Sequence, residues 1–392
     1  MPVSKLVGIL KESHPGERRV ALIPASVTAL QRLDLALRVE SGAGVEAGFP
    51  DAAYEQAGAG IAASRDEVLR ESEILLQVRT LGANPEAGAA DLEALRRDAI
   101  LVGFAEPLTA HEQTRALAQQ GVSLLAMELI PRITRAQSMD ALSSMATVAG
   151  YKAVLLAADA LPRMFPMLMT AAGTVTAARV FVVGAGVAGL QAIATAKRLG
   201  AIVRAYDVRP AVKEQVESLG ASFVEMDLET ERAEGSGGYA KAMGEEFYRR
   251  QREMMGEVLE SSDVVITTAA VPGKRSPVLL TGEMVARMAP GSVVVDLAAE
   301  RGGNCELTAP GETREQDGVR ILGPANVPSQ VPYHASQMYA KNLTTLLQHL
   351  VTDGEPVLDS DDEITAGILV TRNGEVVHPQ VREAMGATAG AE

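Results

Sequence analysis

The sequence predicts an α/β protein: two layered domains with parallel sheets joined by long helices, the second of them doubly wound. Three observations predict it. Short apolar runs alternate with helical segments from Lys5 to Leu322, and strand–helix alternation implies a parallel sheet covered on both faces. The 392 residues are too many for one ordinary core and point to two or three domains. One run, Arg179-Val-Phe-Val-Val-Gly-Ala-Gly-Val-Ala-Gly189, joins an apolar strand directly to a glycine-spaced turn.

Composition bounds the function classes. Apolar residues make up 47% and charged residues 22%, the balance of a globular protein. Aromatics are only 3% and tryptophan is absent, so small aliphatic side chains and 15 methionines must fill the interior. A net charge of −14 argues against nucleic acid or an anionic membrane surface as a partner. The single cysteine, Cys305, excludes an intrachain disulfide and reads as a small buried hydrophobe, not a nucleophile. The N-terminal run is too short for a signal peptide. No window holds 18 uninterrupted apolar residues, so the chain is expected to be cytoplasmic.

In the first domain, strands are read at Leu6–Leu10, Leu37–Glu40, Ile74–Val78, Ala99–Phe104 and Ser123–Met127. Helices are read at Pro24–Leu33, Glu67–Ser72 and from about Thr109. Residues 1–138 plus 328–392 are expected to form this domain, the helix near Ala335–Leu350 returning to it. Asn373-Gly374 between apolar runs signals a hairpin. Residues 139–164 read as a linking helix, since Ala141–Leu161 is apolar in helical register and has no proline.

Residues 165–327 form the second domain, with strands read at Arg179–Val183, Ile202–Tyr206, Ser222–Val224, Val264–Thr268, Ser292–Leu297 and Val319–Leu322. In the glycine turn, Gly184 permits the exit from the strand, Gly186 lets bare backbone approach a pyrophosphate, and Gly189 lets the next helix lie close. Asp207 ends the following strand, eighteen residues beyond Gly189, at the spacing of a carboxylate that holds ribose hydroxyls. Strand, glycines, helix, strand and acid in register define a Rossmann-like dinucleotide site. An acid here repels a 2′-phosphate and favours NAD over NADP, although Arg204 and Arg209 flank it. The glycine-rich insertion Glu234–Gly244 reads as a mobile lid.

Histidines 14, 111, 334, 349 and 378 are scattered and none has metal-ligand spacing, so no metal site is expected. The polar stretch before the linking helix is more suggestive. Arg132 and Arg135 can hold phosphate or carboxamide oxygens, while Gln137, Asp140 and Ser143 recur at threes along a helix face. A structural alternative stays open: Thr134 followed by Gln137 fits a capping box, which would occupy the glutamine.

Two runs carry a family resemblance: Met127-Glu-Leu-Ile-Pro-Arg-Ile-Thr-Arg-Ala-Gln-Ser-Met-Asp-Ala-Leu-Ser-Ser144, and the segment from Gly184 to Gly200. With Gly238-Tyr-Ala-Lys-Ala-Met-Gly-Glu-Glu-Phe247 and Thr267-Thr-Ala-Ala-Val-Pro-Gly-Lys274, they closely resemble the NAD(H)-binding alpha subunit of proton-translocating NAD(P) transhydrogenase. The resemblance covers nearly the whole chain. It implies that Arg132, Gln137, Asp140 and Ser143 act at the nicotinamide end, with Gln137 toward NADP(H) on the partner component. It also implies nucleotide contacts at Val187, Asp207, Val208, Arg209, Gly238, Tyr239 and Gln251. Ala270 stands where the family usually has leucine, so only a backbone contact carries over.

The implied reaction is direct hydride transfer between NADH and NADP⁺ without a general acid or base. The implied partners are a second copy of the chain, an NADP(H)-binding beta subunit and a membrane-spanning subunit, with the chain peripheral on the inner membrane. The rival is alanine dehydrogenase, whose arginine-bearing segment resembles Arg18-Arg19-Val-Ala-Leu-Ile-Pro24. Its lysine and histidine fall at about Gln77 and Ala105 here, which disfavours amino-acid oxidation. A non-catalytic NAD-sensing module would keep the glycine turn and lose the glutamine loop.

Overall fold

The structure is a computed structural model and describes residues 4–225, 245–270 and 273–389. The chain divides into two compact units, residues 1–145 with 329–392, and residues 146–328.

In the first unit, β1 (Lys5–Ile9), β2 (Leu35–Glu40), β3 (Gly60–Ala62), β4 (Ile74–Arg79), β5 (Ile100–Phe104) and β6 (Ser123–Ala126) pair in parallel in the order β6-β5-β4-β1-β2-β3. The central strands are apolar on both faces because helices cover both: β4 reads Ile-Leu-Leu-Gln-Val-Arg and buries five of its six residues. Leu369–Arg372 adds antiparallel to β6 and turns back at Asn373 and Gly374, both at positive φ, into Glu375–Val376. That hairpin completes an eight-stranded sheet. β3 has no sequence signal because Gly-Ile-Ala is too short to show a period.

In the second unit, β7 (Leu168–Thr170) and β8 (Gly173–Val175) form a separate exposed hairpin on which Met169 is 81% accessible. The main sheet comprises β9 (Arg179–Val183), β10 (Ile202–Tyr206), β11 (Ser222–Phe223), β12 (Val264–Thr267), β13 (Val293–Asp296), β14 (Thr313–Gln316) and β15 (Val319–Leu322), in the order β11-β10-β9-β12-β13-β15-β14. All neighbours are parallel except β14 with β15. β14 is not legible in the sequence because Thr-Arg-Glu-Gln is wholly exposed and carries no apolar signal. Strand order reverses between β9 and β12, where a doubly wound sheet leaves a crevice at its carboxyl ends.

The helix Ala141–Ala160 is by length and composition apolar enough to cross a membrane. Its apolar character has an interior use: Ala153, Val154 and Ala157 are fully buried in the core of the second unit, with Ile193 and Val180. Gly150 lets this helix touch the next one, since a Cβ there would lie 2.1 Å from the Ala188 carbonyl oxygen.

Candidate functional site

The glycine turn of the second unit separates into two kinds of glycine. Gly184 has φ +97°, and a Cβ there would meet the Thr268 hydroxyl at 2.5 Å. A Cβ at Gly189 would fall 1.9 Å from the Gly184 carbonyl oxygen, so the helix Val187–Arg198 can lie on the turn only without a side chain. Gly186 differs. A Cβ there would meet nothing nearer than Arg209 Nη2 at 4.0 Å, and its φ of −75° is open to any residue. No internal contact requires glycine at 186. It heads a helix with no side-chain cap, whose first N–H groups therefore face outward, an arrangement that suits an anion lying directly on the backbone.

Asp207 stands at the end of β10, 8% exposed, and is heavily engaged. Its Oδ2 accepts from the Ala185 N–H at 2.7 Å and from Arg209 Nη2 at 2.8 Å, and its Oδ1 accepts from the Arg209 N–H and Nε at 2.9 and 2.8 Å. The acid thus anchors the glycine turn as well as standing where a ribose would lie. Val187, Val208 and Arg209 border the same turn, Val187 being exposed. Gln251 is 1% exposed on the helix Glu245–Glu260 and donates to the Tyr206 hydroxyl at 3.0 Å. Its Oε1 is buried without a partner, which a bound polar group would relieve. Across the crevice Thr268 donates to the Gly184 carbonyl at 3.0 Å, and Ala270 beyond it is exposed. Gly238, Tyr239 and the rest of the expected lid lie outside the described residues. Cys305 is buried, and burial pushes its thiol up to about 11, in keeping with a packing role.

The polar turn belongs to the first unit. Thr134–Met139 is a 3₁₀ turn distinct from the helix that starts at Ala141. The capping box is not formed: the turn has Ile133 at its N-cap and no side-chain cap. Asp140 does the capping instead, its Oδ1 accepting from the Ser143 N–H at 2.9 Å and its Oδ2 from the Ser143 hydroxyl at 2.6 Å. Asp140 and Ser143 therefore have a structural task whatever else they do. Arg132, Arg135 and Gln137 are exposed, and Arg135 reaches Asp362 at 3.6 Å. Asn342 donates to the Ser138 carbonyl at 2.9 Å and so fastens the turn to the helix Pro332–Leu350.

A charged cluster in the first unit is not apparent from the sequence. At the carboxyl ends of β1 and β4, Arg19 makes a two-pronged pair with Glu17 at 2.7 and 2.6 Å, and Arg79 Nε reaches Glu17 at 3.1 Å. Glu12 accepts the Val78 and Arg79 N–H groups, and Glu128 accepts those of Ala105 and Glu106. Burial and the neighbouring Glu17 raise Glu12 to about 7; burial raises Glu128 to about 7 as well. Glu17, although buried, is lowered to about 2 by the Arg19 guanidinium.

Between pH 4.5 and about 7 the folded chain therefore keeps protons on Glu12 and Glu128 that the unfolded chain releases, so their contribution to stability falls as pH rises through that window. Glu17 acts oppositely and only in acid, its contribution being lost as pH falls through about 2. Urea melts at pH 5 and pH 8 should show the contribution of Glu12 and Glu128 as a loss of about 2–4 kcal/mol on going to pH 8. An unchanged or rising stability would show that these two carboxyls are ionised throughout.

The fold and the glycine turn define a dinucleotide-binding α/β protein of the oxidoreductase type. Comparison with known proteins narrows the class. Residues 8–149 match the family described as alanine dehydrogenase/PNT, N-terminal domain, and residues 153–379 its C-terminal domain. The chain is 49% identical over 376 residues to an NAD(P) transhydrogenase subunit alpha chain of Rhodospirillum rubrum, covering 95% of this chain and 98% of that one. The crystal structure of transhydrogenase from Sinorhizobium meliloti superposes with a TM-score of 0.85 at 45% identity, covering 95% of this chain and 100% of that one. Alanine dehydrogenase of Bacillus subtilis is 28% identical over 97% of this chain and 95% of its own. The chain belongs to the alanine dehydrogenase/PNT family and, within it, to the NAD(P) transhydrogenase alpha subunits.

Proposed function

We propose that this chain is the NAD(H)-binding component of proton-translocating NAD(P) transhydrogenase, and that it holds NADH for direct transfer to NADP⁺ on a partner subunit. The observation that carries the reading is Gly186, a glycine with no internal reason to be one, at an uncapped helix N-terminus beside Asp207. The 49% identity to a transhydrogenase alpha subunit supports it. When bound, the dinucleotide supplies the hydride. The chain's own task is to bind and orient.

In this reading Gly184, Gly186, Val187 and Gly189 seat the pyrophosphate, and Asp207, Val208 and Arg209 hold the adenosine ribose. Gln251, Ala270, Gly238 and Tyr239 complete the nucleotide contacts. Arg132, Gln137, Asp140 and Ser143 serve the nicotinamide end. No side chain has to move a proton, which accords with histidines scattered through the chain. The NADP(H) site belongs to the beta subunit and proton translocation to a membrane-spanning subunit, with this component on the cytoplasmic side of the inner membrane. A homodimer fits the exposed apolar hairpin β7–β8, with Met167 and Met169 at 56% and 81% exposure.

Mixing the purified chain with an NADP(H)-binding beta component and following hydride exchange between NADH and an NADP⁺ analogue tests the assignment. Exchange is expected only with both components present. Oxidation of alanine with NAD⁺ by this chain alone would select the dehydrogenase reading instead.

Cofactor choice gives a separate expectation. Asp207→Ala removes the repulsion toward a 2′-phosphate, releases Arg209 and frees the Ala185 N–H. NADH affinity should fall tenfold or more, while the gap between NADH and NADPH narrows. Calorimetry showing equal affinity of the unmodified chain for both cofactors would defeat this account of Asp207.

A further inference from the structure

Behind the crevice lies a buried polar pair that no sequence motif announces. Asp296, at the end of β13, and Asn304 are both 0% exposed. The Asp296 carboxylate accepts five hydrogen bonds: Oδ1 from the Thr267 hydroxyl at 2.9 Å and the Ala298 N–H at 3.0 Å; Oδ2 from the Asn304 and Cys305 N–H groups at 2.7 and 3.0 Å and the Thr308 hydroxyl at 2.8 Å. Gly303, at φ +77°, permits the approach, since a Cβ there would lie 2.9 Å from Asp296 Oδ2.

Held in this way, Asn304 grips a neighbouring backbone from both sides. Its Oδ1 accepts from the Ala269 N–H at 3.0 Å, and its Nδ2 donates to the Ala269 and Pro277 carbonyls, each at 2.9 Å. A side-chain amide that satisfies both the N–H and the C=O of one residue fixes that peptide's orientation and leaves it little freedom. The gripped residue lies between Thr268, which bonds to Gly184, and exposed Ala270.

Strand order says which half of a ligand this serves. β10, carrying Asp207, lies on one side of β9, and β12, leading into Thr268–Ala270, lies on the other. A dinucleotide with its adenosine ribose at Asp207 and its pyrophosphate on the glycine turn must continue over the end of β12. We propose that Asn304, braced by Asp296, is a positioning residue that presents the Ala269–Ala270 backbone to the nicotinamide half of NADH. This rests on the functional reading above, and its test separates the two.

Dissociation constants for NADH and for AMP, which carries only the adenosine half, are measured on the full chain together with its thermal midpoint. Asn304→Asp keeps the size and the acceptor toward Ala269 N–H but sets an oxygen against two carbonyls. NADH should bind tenfold or more weakly while AMP stays within about twofold. Thr308→Val, which removes one of the five donors to Asp296, serves if the first variant does not fold, and should shift the same ratio threefold or more. Parallel weakening of NADH and AMP would mark a purely structural role, and an unchanged ratio would equally overturn the proposal. If the unmodified chain binds neither ligand, the functional reading falls and this assignment with it.

Discussion

Alanine at position 189 is expected to cost the second unit roughly 3 kcal/mol and to abolish NADH binding, whereas alanine at 186 should leave stability unchanged and still weaken binding tenfold or more. The two glycines sit three residues apart in one turn, and contacts alone tell them apart. A methyl at 189 lands 1.9 Å from the Gly184 carbonyl oxygen, which is backbone and cannot rotate aside. To make room the helix Val187–Arg198 must lift off the turn, and Ala192, Ile193 and Ala196, all fully buried, would lift with it. Burial of those side chains is what the variant forfeits. A methyl at 186 meets nothing nearer than 4.0 Å, so any loss there must come from a ligand that needs the bare backbone. Urea melts paired with NADH titrations measure both quantities. Gly186→Ala binding NADH as tightly as the unmodified chain would remove the observation on which the functional reading rests.

What can be read from the sequence divides by how local the signal is. The glycine turn is legible because its strand, glycines, helix and acid lie within one continuous stretch, and spacing alone sets their geometry. The hairpin at Asn373-Gly374 is legible for the same reason, since positive φ at both positions is a property of the dipeptide. Long-range contacts are not. Glu12, Glu17, Arg79, Glu128 and Tyr339 meet only because the order β6-β5-β4-β1 brings four strand ends together, and Tyr339 donates to the Gln77 carbonyl from a helix 262 residues away in sequence. The grip of Asn304 on Ala269 likewise spans 35 residues. At the polar turn the signal is local but ambiguous: Thr134 and Asp140 both suit a helix start. The chain caps at Asp140, because the residues before Ala141 wind as a tighter 3₁₀ turn and the long helix begins only after it.

Capping at Asp140 sharpens the expectation for Gln137. If the glutamine capped a helix, truncating it would cost about 1 kcal/mol, and slow hydride transfer could be blamed on a loosened turn. Here the cap is formed by Asp140 with Ser143, and Gln137 is exposed on a turn fastened by Asn342 to the Ser138 carbonyl. Gln137→Ala should therefore change stability by less than about 0.5 kcal/mol. NADH affinity should also hold, because the glycine turn and Asp207 remain. Transfer to NADP⁺ on the partner component should nonetheless slow by tenfold or more, about 1.4 kcal/mol for each factor of ten, if this amide orients the two nicotinamides. Asp140→Ala is the matched control and should lose about 1 kcal/mol of stability along with its cap. The rates are compared at saturating nucleotide and partner, with the thermal midpoint measured on the same sample. Transfer by Gln137→Ala at the unmodified rate would leave the polar turn with capping as its only demonstrated task.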